Sequence, residues 1–210
     1  MKLTLFLLVL TAGVGGSGGL GLPAAGLAPP LPAAFQRKLT ANKLRFTMPA
    51  GSVPAAAVAN TWFRSDYTLR FPSRQVEVRY SIWPLGSILK EYRRTAGQPG
   101  ADLLVDPNEL YPTQAAVVLG NLSGGQTPEL REFPPGSAKH DFGADWGAMA
   151  QVAPSREVAP GFKHCLLVAL HRRDVADVYC VYLFQKQTDL DWLVAQPTPA
   201  TAPIHALRFE

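Results

Sequence analysis

Between residues 161 and 185 the chain reads GFKHCLLVALHRRDVADVYCVYLFQ, two apolar arms around the polar residues 171–177. In the first arm His164, Leu166, Val168 and Leu170 share one parity, and Cys165, Leu167 and Ala169 share the other. In the second arm Val178, Cys180, Tyr182 and Phe184 alternate with Tyr179, Val181 and Leu183. Successive side chains of a strand point to opposite faces, so a strand that is apolar at both parities is covered on both. The pattern predicts a hairpin in the middle of a sheet, with helices or loops on either side.

The other segments are placed against that hairpin. Residues 43–49 (KLRFTMP) put Leu44, Phe46 and Met48 on one face and Lys43, Arg45 and Thr47 on the other, the pattern of a half-buried strand. Residues 67–71 and 75–83 repeat it, with Tyr67, Leu69, Phe71, Val76, Val78, Tyr80 and Ile82 inward and Pro72 and Ser73 between them. They predict an antiparallel hairpin. Ile88, Leu89 and Tyr92 predict a short helix over 87–94. A longer helix is expected over 112–122, opened by Pro112, striped by Ala115, Val118, Leu119 and Leu122, and ended by Ser123-Gly124-Gly125. A short helix over 137–142, a strand over 146–152 and a helical turn over 188–194 complete the pattern. Residues 204–210 read as a helix end or a short strand, after a linker at 196–203. The fold class is therefore α+β: a mainly antiparallel sheet of about six strands with short helices on both faces.

The amino terminus changes this picture. Lys2 precedes the apolar run 3–10, and small residues follow from Ala12 to Gly26. This is the pattern of a secretory signal over residues 1–25, too short in its apolar core to cross a bilayer. Residues 26–35, rich in Pro and Ala, are expected to be a linker, and 36–210 a single domain. The expected location is periplasmic or extracellular, with no membrane span in the mature chain. Lys and Arg number 20 against 16 Asp and Glu. That mild excess does not indicate nucleic-acid binding.

Cys165 and Cys180 are the only cysteines, one on each arm of the hairpin. Export would permit a disulfide, but a turn centred near Asp174 pairs each cysteine with some other residue, and two buried thiols are expected. Asn121-Leu122-Ser123 has the form of a glycosylation acceptor.

A strand ending in Met-Pro-x-Gly (46–51), two strands of alternating residues, a helix, a long apolar hairpin with a short helix after it, and a closing Leu207-Arg208-Phe209 come in an order that resembles the PsbP-like α/β/α sandwich proteins. The resemblance covers most of residues 44–209 and implies a sandwich fold, export in many members, and a binding or assembly role rather than catalysis.

Candidate chemistry is sparse. Arg45, Arg70 and Arg79 lie on the outward parity of three strands expected to be neighbours, and with Trp83 they would form a shelf gripping a carboxylate, a phosphate or an acidic partner. Glu77 on the same face supports a second reading, in which the arginine stems cover apolar surface. His140, Asp141 and Asp145 are the only close group of histidine and carboxylates, and their spacing matches no recognised metal pattern. His164 and His171 face opposite sides of their strand. There is no nucleophile elbow and no phosphate-binding glycine loop, so no cofactor is implied. The expected function is an exported, non-enzymatic binding or assembly module with a protein or small anionic ligand as partner. The alternative is a metal-dependent hydrolase built on His140, Asp141 and Asp145.

Overall fold

The hairpin organises the sheet as its two-sided apolar pattern requires. In the computed structural model, which describes residues 30–56, 60–96, 98, 104–126, 128–194 and 202–210, β7 (His164–Arg172) and β8 (Ala176–Phe184) pair around a turn at Asp174 with φ +61°. The expected signal segment 1–25, linker residues 26–29 and residues 196–201 of the carboxyl-terminal linker lie outside the described residues. β4 (Val76–Pro84) pairs with β8, β3 (Tyr67–Phe71) with β4, and β2 (Val53–Pro54) closes that edge. On the other side β6 (Trp146–Val152) pairs with β7 and β5 (Arg131–Glu132) with β6. All pairings are antiparallel, and the order in this seven-stranded sheet is β2-β3-β4-β8-β7-β6-β5.

Expectation and structure differ in several places, the short strands β2 and β5 among them. The strand at residues 43–49 does not join the main sheet: β1 (Leu44–Phe46) pairs only with β9 (Leu207–Phe209), in a separate two-stranded ribbon. A helix, α1 (Ala33–Ala41), begins in residues 33–35 of the expected linker and runs into the expected domain, with Phe35 and Leu39, one helical turn apart, both buried. The polar stretch 171–177 is not all loop, because His171 and Arg172 still pair with Asp177 and Ala176.

Each face of the sheet has its own cover. Val78, Tyr80, Val168, Leu170, Cys180, Tyr182 and Phe184 pack under the β1–β9 ribbon, α1, α4 (Ser137–Phe142) and Leu193 of α5 (Gln187–Val194). On the opposite face Cys165, Leu167, Tyr179, Val181 and Leu183 meet Ala115, Val118, Leu119 and Leu122 of α3 (Tyr111–Ser123), together with Phe63 and Val158. α2 (Gly86–Thr95) follows β4, and a 3-10 turn (Pro107–Glu109) leads into α3. The architecture is thus an α+β sandwich, with cover from helices on both sides of a central antiparallel sheet. Among the described residues no helix is long and apolar enough to cross a membrane.

Candidate binding groove

The arginines expected to form a shelf are separated or neutralised. Arg45 sits in the β1–β9 ribbon. Arg70 and Arg79 do share a face across β3 and β4, but Glu77 stands between them, accepting from Arg70 Nε at 2.7 Å and from Arg79 Nε at 2.7 Å. Arg79 also donates to the Val158 carbonyl at 2.8 Å and is 2 % exposed, while Glu77 is 0 % exposed. The segment around Val158 closes over this face, so the two charges are enclosed rather than offered. Trp83 lies at the far end of the same strand, its Nε1 donating to Ser81 Oγ at 2.9 Å and its ring edge-on to Tyr179. The shelf reading is therefore corrected: strand parity predicted the common face but not what covers it.

The alternative catalytic trio does not converge either. His140 Nδ1 meets Asp141 Oδ1 at 2.6 Å on the solvent side of α4, whereas the Asp145 carboxylate accepts from Lys139 Nζ at 3.1 Å and from the Arg173 backbone N–H at 2.9 Å. Lys139 and the Arg173 amide hold the Asp145 carboxyl below its ordinary range, against the opposing effect of burial, which is the largest single influence. Among the described residues no three His, Cys, Asp or Glu side chains group to hold a metal ion.

Cys165 faces Leu183 and Cys180 faces Val168 across the hairpin, as a turn at Asp174 requires. Both are free, and burial pushes each thiol up to about 12, with Arg79 pulling Cys165 and a Tyr182 hydrogen bond pulling Cys180 back down. Thiols of this kind are poor nucleophiles near neutral pH.

Among the described residues, one receptive surface that carries an exposed aromatic ring lies beside α3. Asn60 Oδ1 accepts from the backbone N–H groups of Trp62 and Phe63 at 2.7 and 3.1 Å, an Asx turn that presents Trp62 outward while Phe63 enters the core. Asn60 Nδ2 donates to the Glu157 carbonyl at 2.9 Å, and Asn121 Nδ2 to the Trp62 carbonyl at 3.2 Å. These two amides tie the Trp62 loop to both of its neighbours. α3 ends at Gly124, whose φ of +73° is the left-handed cap that glycine accepts without strain, and the Gly125 N–H returns to the Gly120 carbonyl at 2.8 Å. A side chain at Gly124 would also press on Ser155 Cβ, 3.2 Å from an added Cβ, so the cap brings the Ser155–Glu157 backbone close.

Between these walls lies a groove of about 670 Å³, lined by Trp62, Val117, Gly124, Ser155, Arg156 and Glu157 among others. Trp62 is 52 % and Val117 50 % exposed. The groove joins an aromatic face to hydrogen-bonding groups and one charge of each sign, the composition of a small-ligand site. Its size falls within the range of such sites. Of the glycosylation triplet only Asn121 lines the groove; the Ser123 hydroxyl is buried and turned to the Gly120 and Gln126 carbonyls.

Sequence reasoning missed this groove because Trp62 lies in a loop between periodic elements, and Asn121 and Glu157, which help to hold that loop, are far along the chain. It also missed a cross-strand pair at the hairpin end, where His171 Nδ1 and Asp177 Oδ1 lie 2.7 Å apart and nearly enclosed. Tyr111, at the start of α3, stacks on the His171 ring at 4.4 Å and 22°. The signal available was the turn centre at Asp174, which sets His171 opposite Asp177 by counting.

The fold and groove define a class, an α+β sandwich with a solvent-facing aromatic groove on its α3 side. No protein-family model, curated protein or solved structure matches the chain.

Proposed function

We propose that the chain is an exported, non-enzymatic binding module whose ligand seat is the groove beside Trp62. The observation that carries this reading is the half-exposed Trp62 ring, carried on a backbone that two side-chain amides, Asn60 and Asn121, hold in place, in one groove with Arg156 and Glu157. An exposed indole on a tethered loop loses little conformational freedom when a ligand covers it, which favours binding. The amino-terminal Lys2 and apolar run 3–10 support export, and the order of elements resembling PsbP-like proteins points to binding rather than catalysis.

The groove is tested by titrating soluble aromatic and heteroaromatic fragments while following the Trp62 indole N–H and the Val117 methyl resonances. Saturable shifts at both are expected. In Gly120→Leu they are expected to weaken about tenfold or more, since an added Cβ at Gly120 has only the Gln126 carbonyl within reach, at 3.9 Å, and the longer side chain occupies the groove without disturbing the helix. Fragments that shift neither resonance, or bind Gly120→Leu equally well, would remove the groove from consideration. Export is tested separately, by mass spectrometry of the protein from the cell that makes it. The expected amino terminus lies between residues 12 and 27, and a chain that retains Met1 argues against a cleaved signal.

A further inference from the structure

The β1–β9 ribbon carries an arrangement that neither the sheet nor the groove requires. Arg45 stands directly opposite Arg208. The flanking rungs show how the two side chains are set: the Thr47 N–H donates to the Ala206 carbonyl at 2.8 Å and the Glu210 N–H to the Lys43 carbonyl at 2.9 Å. Hydrogen-bonded rungs alternate along an antiparallel pair, so the Arg45–Arg208 rung is hydrogen-bonded as well, with Cα atoms about 5.5 Å apart. Leu44, Leu207 and Phe209 are buried in the core and Phe46 packs against it, so the two arginines project from the outer face of the ribbon.

Like charges opposed across a ribbon weaken it, and here each strand has only three residues. Among the described residues neither guanidinium forms an ion pair. The surroundings add cations. Lys43 lies two rungs away, opposite the acidic Glu210, and Arg172 bonds the Glu210 carbonyl while its guanidinium lies over the Phe209 ring at 5.7 Å. On the α4 side His205 adds no charge at neutral pH, because burial lowers its pKa; Asp141 opposes that shift and Arg208 reinforces it. Two arginines set on one rung by backbone pairing, neither in an ion pair among the described residues, suit an acceptor that presents several oxygens at once.

We propose that Arg45 and Arg208 together seat a tetrahedral oxyanion, a phosphate or sulfate group carried by a ligand or partner. The site lies on the ribbon rather than in the groove beside Trp62, so it stands or falls independently of the function proposed above. It also returns Arg45 to an anion-binding role with a partner from the other end of the sequence, in place of Arg70 and Arg79.

The test is a thermal-shift titration of the full chain with low-millimolar inorganic phosphate, sulfate, O-phosphoserine and acetate, each against chloride at matched ionic strength. Dilute anions and matched chloride separate specific binding from the general stabilisation that concentrated phosphate and sulfate give any protein. A saturable rise with phosphate or sulfate is expected, with affinity about tenfold or more weaker in both Arg45→Gln and Arg208→Gln. Without anion, each variant is expected to melt no lower than the parent, because glutamine keeps much of the stem and removes the repulsion. A larger effect of O-phosphoserine than of inorganic phosphate would assign the group to a phosphorylated partner, and an equal effect to the free anion. The proposal is overturned if phosphate and sulfate do no more than chloride, if acetate equals them, or if the shift survives in either variant. Arginine Nε–H resonances, followed in the same titration, report contact directly and do not depend on the melting behaviour of the variants.

Discussion

Glu77→Ala is expected to destabilise the protein by about 3–5 kcal/mol, read as a fall in the urea midpoint at unchanged slope. The Glu77 carboxylate is fully buried and serves Arg70 and Arg79 simultaneously. Without it Arg79 keeps only the Val158 carbonyl, and an almost fully enclosed guanidinium is left uncompensated. Arg70 is largely exposed and loses little. The double variant Glu77→Leu/Arg79→Met is expected to recover most of the deficit, because apolar side chains of similar volume avoid burying charge at all. A cost below about 1 kcal/mol for Glu77→Ala would mean that water reaches this pair and that the segment around Val158 does not seal the face.

A loss of similar size, about 3–5 kcal/mol, is expected for His171→Ala. The Asp177 carboxylate lies in the last rungs of the hairpin with His171 Nδ1 at 2.7 Å, and both side chains are about 95 % enclosed. Alanine removes the ring nitrogen facing that carboxylate and leaves Tyr111 without the ring it stacks on. His171→Asn restores an N–H donor at similar reach and is expected to recover part of the stability. Amide exchange localises the effect: protection should fall first in residues 170–178 and at the start of α3. A uniform loss of protection across the sheet, or equal instability of both variants, would mean that ring packing rather than the carboxylate contact matters at this position.

Much of the architecture was legible because its determinants are local. The two-sided apolar arms of β7 and β8 required a central position, and both faces are covered. Ser123-Gly124-Gly125 marked the end of α3 because few residues other than glycine adopt a φ of +73° without strain. Counting residues about Asp174 placed Cys165 and Cys180 out of register, and the thiols are free. The elements that escaped notice are short or lack a period. β2 and β5 have two residues each, too few for alternation to register. α1 begins among Pro and Ala residues that resemble a tether, and only the packing of Phe35 and Leu39 against the sheet gives its helical face a purpose.

The sites were less legible than the fold. Parity correctly put Arg70, Glu77 and Arg79 on one face, yet the contact that buries Arg79 comes from Val158, 79 residues away. Arg45 was read as part of the main sheet, whereas its strand pairs with the last residues of the chain. Trp62 depends on Asn60, Asn121 and Glu157, which no local pattern links.

By itself the sequence determined the longer strands and helices, where those elements stop, and which of their side chains share a face, because backbone sterics and residue alternation act over a few neighbouring positions. Only the tertiary structure decided which faces are sealed, which charges are paired, and where Trp62 and Arg208 find their neighbours. Those outcomes depend on desolvation and on packing between distant segments, and a one-dimensional pattern carries no measure of either.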